Sequence, residues 1–395
     1  MRKNCPLAPS PRNYMNMPIK LAFLTTDNRE QLGRYEVEEP FFGTAMSALL
    51  KGFAMFPDEI EVHVVSCAKR RMRAPVQLAD NIFFHQPIVP RIGWGRSAFI
   101  GCGMAVRSIL KKIRPDITHA QGTERDCGVS MMFAPKGPRL LTIHGHMARI
   151  AEISNARFAS YYWLAKYLER IAVERADGVV ALTRYTEGRV KDFAKSTWIV
   201  PNAVDEMFFD VKTASVCDYA LCVAHIHPWK RQVELMEAME TMDADRRPNI
   251  VFAGAKSESE YGKLFEKMVN TREWCTHVGE VNREELKNLL SKATMVILPS
   301  IEDNCPMVVL EAMAAGVPVA AARIGGIPDL VEEEKTGLLF DPKETNQITA
   351  TIARLNRDYV FSARCRQNSS NTALKRFYPK AIAERHLDIY RSLLQ

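Results

Sequence analysis

The sequence predicts an α/β protein in which two Rossmann-like domains face each other across a cleft. Short apolar runs, each of about four to eight residues, alternate with helical patterns along the chain, as in parallel sheets built from βαβ units. The chain has 395 residues, which is more than one ordinary core accommodates. A proline and several aromatic residues interrupt the alternation in STWIVPNAVDEMFFD, residues 196–210. We therefore expect the boundary between the domains in this segment.

The elements follow in order along each half. The strands expected in the first half are IKLAFLTT, EVHVVS, DITHA, RLLTIHG and GVVALT. Its helices are expected from about Gly43 to Phe56, into VRSILKKIRP, and through residues 158–176. The strands expected in the second half are YALCVA, NIVFAG, CTHVG and TMVILPS, with helices from Lys230, near residues 258–270 and in REELKNLLSKA. An amphipathic helix, KAIAERHLDIYRSLLQ, follows Pro379 and is expected to cross back to the first domain.

These elements divide the chain into four parts. Residues 1–17 are basic without an apolar segment and are expected to form a flexible tail. The N-terminal domain is predicted over 18–200, the C-terminal domain over 201–375 and the C-terminal helix over 376–395. In parallel α/β sheets, ligands bind outside the carboxyl ends of the strands. Candidate site residues should therefore follow strands directly.

Composition narrows the class of protein. The chain is 47% hydrophobic and 25% charged, which is typical of a globular protein, and no apolar run approaches a membrane span. Nine cysteines are scattered without paired spacing, so we expect reduced, buried thiols in a cytoplasmic protein. No nucleic-acid partner is expected, and the oligomeric state is left open.

Positive charge is concentrated in the first half. Residues 1–200 carry 29 Lys and Arg against 18 Asp and Glu, whereas residues 201–395 carry 24 against 28. Two dense clusters, AKRRMR (68–73) and LKKIR (110–114), lie in the basic half. They are either solvated surface or a surface that attracts an anionic acceptor or the inner face of a membrane.

Several motifs resemble metal or cofactor sites but lie in the wrong context. Asp243 and Asp245 in MDADRR form an Asp-x-Asp, but they precede a strand and so lie at the opposite edge of the sheet. GCGMAV (101–106) follows no strand. HIH (225–227) and HGH (144–146) each offer two histidines, and no third ligand is visible in the sequence. We therefore predict neither a metal nor a cofactor.

The stretch from Pro299 to Val331 carries a more specific pattern. Asp303 follows the strand TMVILPS, and Pro306 suits the first turn of a helix that ends near Gly316. Free N–H groups at such a helix start, from Asn304 to Val308, bind phosphate well. Glu311 lies about one turn further and could bind a vicinal diol. Two carboxylates that bracket a diphosphate site suit a nucleotide sugar; the alternative is a capping aspartate and a solvated glutamate.

The chain resembles the family 4 glycosyltransferases, which are retaining enzymes of the GT-B fold. Asp303-x7-Glu311 is similar to their E-x7-E element, and AHIHPWKRQVELMEA places Lys230 at the lysine that meets the donor diphosphate. TIHG places His144 at the histidine near the transferred sugar, and FFGTAMSALLKGF places Gly43 in the glycine loop of the first domain. IVPNAVDEMFF resembles the interdomain linker. The resemblance covers about residues 18–395.

The sequence departs from the family pattern in three features. Ala224 and His225 stand where Gly-Arg is common, so the permanent charge of a guanidinium is absent there. Asp303 is one methylene shorter than glutamate, and the glycine loop has a single glycine, Gly43. Each difference could tune the choice of donor or reduce activity.

The resemblance implies transfer of a sugar from a nucleotide-diphosphate sugar with retention of configuration and without a metal. The acceptor, a glycan, a lipid-linked intermediate or a small molecule, would bind the N-terminal domain. Lys230, His225 and the helix start at Asn304, Met307 and Val308 would take up the charge on the diphosphate. Asp303 would hold sugar hydroxyls, Glu311 the ribose and His144 the sugar. The alternatives are a non-catalytic nucleotide-sugar binding protein and a nucleotide-sugar 2-epimerase. Base, sugar and acceptor are not specified.

Overall fold

The computed structural model describes residues 17–212 and 218–395. The expected tail, except for Met17, lies outside the described residues, as do Cys5 and Cys217. The described chain forms two sheets, one of eight strands and one of six, each with helices on both faces. This architecture confirms the predicted α/β fold class.

The first sheet has the strand order β3-β4-β2-β1-β5-β6-β7-β8, and only the pair β3–β4 is antiparallel. Its central strands are buried on both faces because helices cover them on both sides. Its strands are β1 (Ile19–Leu24), β2 (Ile60–Val65), β3 (Gln77–Ala79), β4 (Ile82–His85), β5 (Ile117–Gln121), β6 (Arg139–Ile143), β7 (Gly178–Ala181) and β8 (Thr197–Ile199).

Three helices of this half, Cys127–Met132, Met147–Ile153 and Arg184–Val190, were not predicted, and one predicted helix has different bounds. The single helix expected over residues 158–176 is shorter and begins at Tyr161, because the hydroxyl of Ser160 accepts a hydrogen bond from the N–H of Trp163 and caps it. The helices are α1 (Thr44–Ala54), α2 (Ile100–Ile113), α3 (Cys127–Met132), α4 (Met147–Ile153), α5 (Tyr161–Arg175) and α6 (Arg184–Val190).

The second sheet is entirely parallel, with the order β11-β10-β9-β12-β13-β14. Its strands are β9 (Tyr219–Val223), β10 (Asn249–Ala253), β11 (Cys275–His277), β12 (Ala293–Leu298), β13 (Val319–Ala322) and β14 (Gly337–Phe340). Its helices are α7 (Gln232–Glu240), α8 (Glu260–Asn270), α9 (Arg283–Lys292), α10 (Met307–Ala314), α11 (Ile327–Leu330), α12 (Thr345–Arg357) and α13 (Tyr359–Arg376).

The last helix, α14 (Pro379–Leu394), packs against α1 of the first half. Ile382, Leu387 and Tyr390 are buried in the core on the α1 side of the first sheet. The two helices meet at Gly52, where an added Cβ would lie 2.3 Å from the carbonyl oxygen of Pro379. A glycine therefore sets how closely α14 approaches the first sheet.

Topology also decides where the site can form. The carboxyl ends of β6, β9 and β12 are followed by the segments that carry His144, Lys230 and Asp303.

The seven cysteines in the described part of the chain are all buried and free, as expected. Within residues 17–212 and 218–395, no helix combines the length and apolarity that a membrane span needs.

We expect Gly52→Ala to lower the free energy of unfolding by about 1–3 kcal/mol, because the new methyl group would overlap the Pro379 carbonyl and push α14 away. Urea denaturation followed by circular dichroism measures this change. Gly188→Ala is the matched control: Gly188 also lies in a helix, nothing stands within 4 Å of its added Cβ, and alanine should be neutral or up to about 1 kcal/mol stabilising there. Equal stability of the two variants would contradict this packing.

Candidate functional site

Two predicted residues, Lys230 and Asp303, form an ion pair. Lys230 Nζ lies 2.6 Å from Asp303 Oδ2, and the side chains are 27% and 15% exposed. Lys230 ends a 3-10 turn, Pro228–Lys230, in which the ring of His227 accepts the N–H of Trp229. The carbonyl of Trp229 in turn accepts the N–H of Ile301 at 2.9 Å. The turn after β9 is thus tied to the loop after β12, which brings the two charges together.

A pair of glycines after β13 supports the loop from the other side. The backbone of Gly325 and Gly326 lies so close that an added Cβ would stand 1.9 Å from the carbonyl oxygen of Asp303 and 2.0 Å from that of Asn304. The N–H of Gly326 donates to the Asp303 carbonyl at 2.9 Å. Sequence reasoning missed these residues, although two adjacent glycines after a strand signal such a close approach.

Asn304 connects the two halves of the protein. Its amide nitrogen donates to the carbonyl of His144 at 2.7 Å, and its amide oxygen accepts from the hydroxyls of Thr183, at 2.8 Å, and Thr186. The side chain of Asn304 is therefore fully engaged between the domains. Only the backbone N–H of Asn304 would be available to bind a nucleotide sugar. The side chain therefore takes no part in the donor-substrate contact that the sequence predicts for this residue.

Glu302 makes a second connection that sequence reasoning missed. One carboxylate oxygen accepts from Arg149 Nε at 3.0 Å, and the other accepts from the hydroxyl of Tyr185 at 2.7 Å. Tyr185 also donates its backbone N–H to Asp329 at 3.2 Å. No sequence pattern marks such pairs, because their partners come from different domains. Consecutive residues of the loop after β12 thus contact different halves of the protein. Glu302 and Asn304 contact the first half, and Asp303, between them, contacts the second half.

His144 directly follows β6, as predicted, and lies on the first half's side of the cleft. Its Nε2 is 3.0 Å from the amide oxygen of Gln121. Burial, helped by the nearby His386, lowers the pKa of His144 to about 4. The imidazole is therefore neutral at pH 7 and suits hydrogen bonding to hydroxyls better than charge stabilisation.

A cavity of about 560 Å³ opens beside His144. Predicted residues from both halves, Gly43 and Met307, line it together with His144, Glu124 and Tyr161. Gly43 adopts a φ of 81° at the start of α1, a conformation in which a side chain would be strained. The structure therefore brings three of the predicted residues to one cavity.

Helix α10 begins at Met307, with Pro306 at the position before it. The capping alternative for Asp303 is therefore wrong, since its carboxylate meets Lys230 and not the helix. Val308 is buried in the core of the second half, so only its backbone could reach a ligand. Helix α10 has eight residues, and its N-terminus follows shortly after Asp303 in the chain.

Glu311 is 4% exposed, so the alternative of a solvated glutamate is also wrong. Burial raises the pKa of Glu311 to about 7, opposed by the positive charge of Arg283 and reinforced by Asp205. Asp205 lies 2.6 Å from Lys51 Nζ and 3.3 Å from Arg283 Nη2. A buried carboxyl group near a compensated charge network has the properties of a binding residue.

The remaining predicted residue, His225, is exposed at the end of β9. Its carbonyl accepts the amide of Gln232 at 2.9 Å. Asp243 and Asp245 pair with Arg246 and Arg357 on the surface and do not approach the cleft residues.

One group of three residues in the described part of the chain could hold a metal ion. It consists of Cys67, Cys102 and Asp126, all buried in the first half. None of them is a predicted site residue.

Two family models match the chain in succession. The model described as Glycosyltransferase Family 4 matches residues 45–207, and the model described as Glycosyl transferases group 1 matches residues 205–372. The chain belongs to the group 1, family 4-type glycosyltransferases. The first model spans the half that carries His144, and the second spans the half that carries Lys230, Asp303 and Glu311.

Individual relatives of the chain are distant. An uncharacterized glycosyltransferase of Methanocaldococcus jannaschii is 26% identical over 41% of this chain and 41% of the relative. Sulfoquinovosyl transferase of Arabidopsis thaliana is 32% identical over 33% of this chain and 25% of the relative. An MMP α-(1→4)-mannosyltransferase of Mycolicibacterium hassiacum is 22% identical over 65% of this chain and 66% of the relative. The first two matches thus span less than half of each relative.

Solved structures confirm the fold of the chain. Sucrose-phosphate synthase from Thermosynechococcus elongatus has a TM-score of 0.76 at 18% identity, over 95% of this chain and 99% of that one. Anabaena HepE in complex with UDP has a TM-score of 0.68 at 17% identity, over 95% and 100% of the respective chains. Both likenesses extend over the two sheets and establish the GT-B fold.

The raised pKa of Glu311 predicts a pH-dependent stability. A glutamate in the unfolded chain titrates near 4.5, whereas folding raises the pKa of Glu311 to about 7. Between these values the folded protein binds a proton that the unfolded chain releases, so the free energy of unfolding falls as pH rises. We expect Glu311→Gln to remove up to about 3 kcal/mol of this dependence between pH 5 and pH 8.

Urea denaturation at both pH values measures the effect. Glu273→Gln, at an exposed position of the same half, is the control and should leave the pH dependence unchanged. If the free energy of unfolding changed with pH equally in wild type and Glu311→Gln, the raised pKa of Glu311 would be contradicted.

Proposed function

We propose that this protein transfers a glycosyl group from a nucleotide-diphosphate sugar to an acceptor hydroxyl, with retention of anomeric configuration and without a metal. The observation that carries the proposal is the Lys230–Asp303 ion pair beside the N-terminus of α10, with His144 held to the same loop through Asn304. The proposal is also supported by family membership and by HepE, whose structure was solved with UDP.

The reaction requires that the negative charge on the leaving diphosphate be stabilised. Negative charge grows on the phosphate oxygens as the sugar becomes cation-like, and fixed positive groups lower the barrier. Lys230 and the N-terminal N–H groups of α10 supply such groups without a metal. His225, exposed at the adjacent strand end, would add a hydrogen bond to the same phosphates.

Lys230 and Asp303 would change partners when the donor binds. A diphosphate competes with the Asp303 carboxylate for Lys230, which frees Asp303 to accept hydrogen bonds from sugar hydroxyls. Glu311 would hold the ribose diol as a carboxylate. The neutral imidazole of His144 would contact the sugar from the opposite half. The acceptor hydroxyl then attacks from the face of the leaving group, in the cavity beside His144.

The donor site predicts a clear binding phenotype. We expect Lys230→Ala and Glu311→Ala each to weaken binding of UDP or GDP about ten- to hundredfold, because each removes a charge-assisted hydrogen bond worth about 1.5–3 kcal/mol. Calorimetry measures the affinity, with exposed Lys267→Ala as the matched control. Unchanged affinity in both site variants would refute the donor-site assignment.

Activity assays separate the proposed function from its alternatives. A panel of nucleotide sugars is incubated with and without acceptor, and NMR identifies the anomer of any product. Binding without transfer or hydrolysis would indicate a non-catalytic binding protein, and an altered sugar formed without acceptor would indicate a 2-epimerase. Loss of transfer in EDTA, restored by magnesium or manganese, would refute metal independence.

We also propose that the acceptor is anionic or lipid-linked, so that the protein works in the cytoplasm at the inner face of a membrane. The support is the charge of the first half and the surface cluster Lys69–Arg73. Lys69 lies over the ring of Trp94 and pairs with Glu30 at 3.4 Å, and Arg73 pairs with exposed Glu38 at 3.6 Å. The cluster is therefore only partly neutralised.

We expect the quadruple variant K69Q/R70Q/R71Q/R73Q to weaken binding to anionic liposomes at least tenfold at low salt, since each charge contributes up to about 1 kcal/mol near anionic lipid. Cosedimentation measures binding. The variant K263Q/K267Q/K287Q/K292Q removes the same charge from the other half and should bind like wild type. An equal loss of liposome binding in both variants would show that the net charge of the protein, and not the Lys69–Arg73 cluster, determines binding.

A further inference from the structure

A chain of hydrogen bonds runs from the last helix to His144. The hydroxyl of Tyr390, on α14, lies 2.8 Å from Nδ1 of His119, on β5. Nε2 of His119 lies 3.1 Å from the amide nitrogen of Gln121, two residues further along β5. The amide oxygen of Gln121 lies 3.0 Å from Nε2 of His144. Three side chains thus connect an element that follows the second domain to the histidine beside the cavity.

The chain lies inside the protein. His119 and Tyr390 are fully buried, and Gln121 is 8% exposed. Burial lowers the pKa of His119 well below its usual value, helped by His386 and His144. His119 is therefore neutral and carries one ring proton. Because His119 and Tyr390 are shielded from water, their polar groups need hydrogen-bond partners within the protein.

Chemistry gives the chain a direction. The amide nitrogen of Gln121 offers only protons and lies 3.1 Å from Nε2 and 3.4 Å from Nδ1 of His119, so it donates to the ring nitrogen that carries the lone pair. The amide oxygen of Gln121 offers only lone pairs, so Nε2 of His144 carries the proton. The hydroxyl of Thr142, 2.8 Å from Nε2 of His119, and the hydroxyl of Tyr390 at Nδ1 can each donate or accept, so they hold the ring in place in either tautomer.

We propose that Tyr390, His119 and Gln121 are positioning residues that hold His144 as the tautomer protonated on Nε2, so that Nδ1 accepts a hydrogen bond from a substrate hydroxyl. The role of Nδ1 rests on the proposed function, in which His144 meets the sugar. The tautomer itself rests only on the hydrogen-bond chain. The last helix of the protein therefore takes part in preparing the site as well as in packing.

The tautomer is measured directly in full-length protein with ¹⁵N-labelled histidine. Long-range ¹H–¹⁵N spectra distinguish the two neutral tautomers, and the spectrum of His144→Ala assigns the signal of His144. We expect the Nε2–H tautomer in wild type and a mixture of tautomers in Gln121→Leu. The Nδ1–H tautomer in wild type would overturn the proposal, and so would an unchanged tautomer in Gln121→Leu.

Kinetics then tests whether the chain acts through His144. We expect Tyr390→Phe and Gln121→Leu to lower kcat about tenfold while KM for the nucleotide sugar stays within about twofold, as for loss of an orienting hydrogen bond. Tyr378→Phe is the matched control, since the hydroxyl of Tyr378 donates to Glu206 away from the chain. In a His144→Ala background, Tyr390→Phe should have no further effect.

The outcomes are distinguishable. An additive loss in the double variant, in proportion to a fall in thermal stability, would mean that Tyr390 only packs, and would overturn the proposal. Absence of transfer in wild type would refute the proposed function, while the NMR measurement still decides the tautomer. Normal transfer with the opposite tautomer would refute the positioning role and leave the proposed function intact.

Discussion

The side-chain amide of Asn304 is the contact on which the arrangement of the cleft depends. It donates to the carbonyl of His144 and accepts from the hydroxyls of Thr183 and Thr186, so both ends of the amide are used by the opposite half. An aspartate could not donate, and an alanine would leave the partner groups without their hydrogen bonds. Asparagine suits this position because one planar group offers donor and acceptor together.

The neighbours of Asn304 depend on this contact. With Asn304 docked on the first half, Asp303 is turned to the second half, where Lys230 meets it. Glu302 then reaches Arg149 and Tyr185. The backbone can adopt this alternation because Gly325 and Gly326 press against it without side chains. The three consecutive residues thus place the ion pair with Lys230 and two interdomain contacts in the same short loop.

Each half contains a predicted site residue that is titratable and partly or fully buried, and its protonation follows from burial. Desolvation lowers the pKa of His144 to about 4 and raises the pKa of Glu311 to about 7. At neutral pH the first half therefore offers an uncharged imidazole, and the second half offers an ion pair and a carboxyl group near its midpoint.

The sequence by itself determined the two-domain α/β fold, the segment near residue 200 where the sheets divide, and the strand ends that carry His144, Lys230 and Asp303. These features follow from local periodicity and from the rule that parallel strands present their carboxyl ends at one edge. Only the tertiary structure decided which side chains meet. Asn304 bonds to Thr183, 121 residues earlier, and Tyr390 lies 271 residues from His119. Such pairings depend on how helices and sheets pack, which no local pattern encodes.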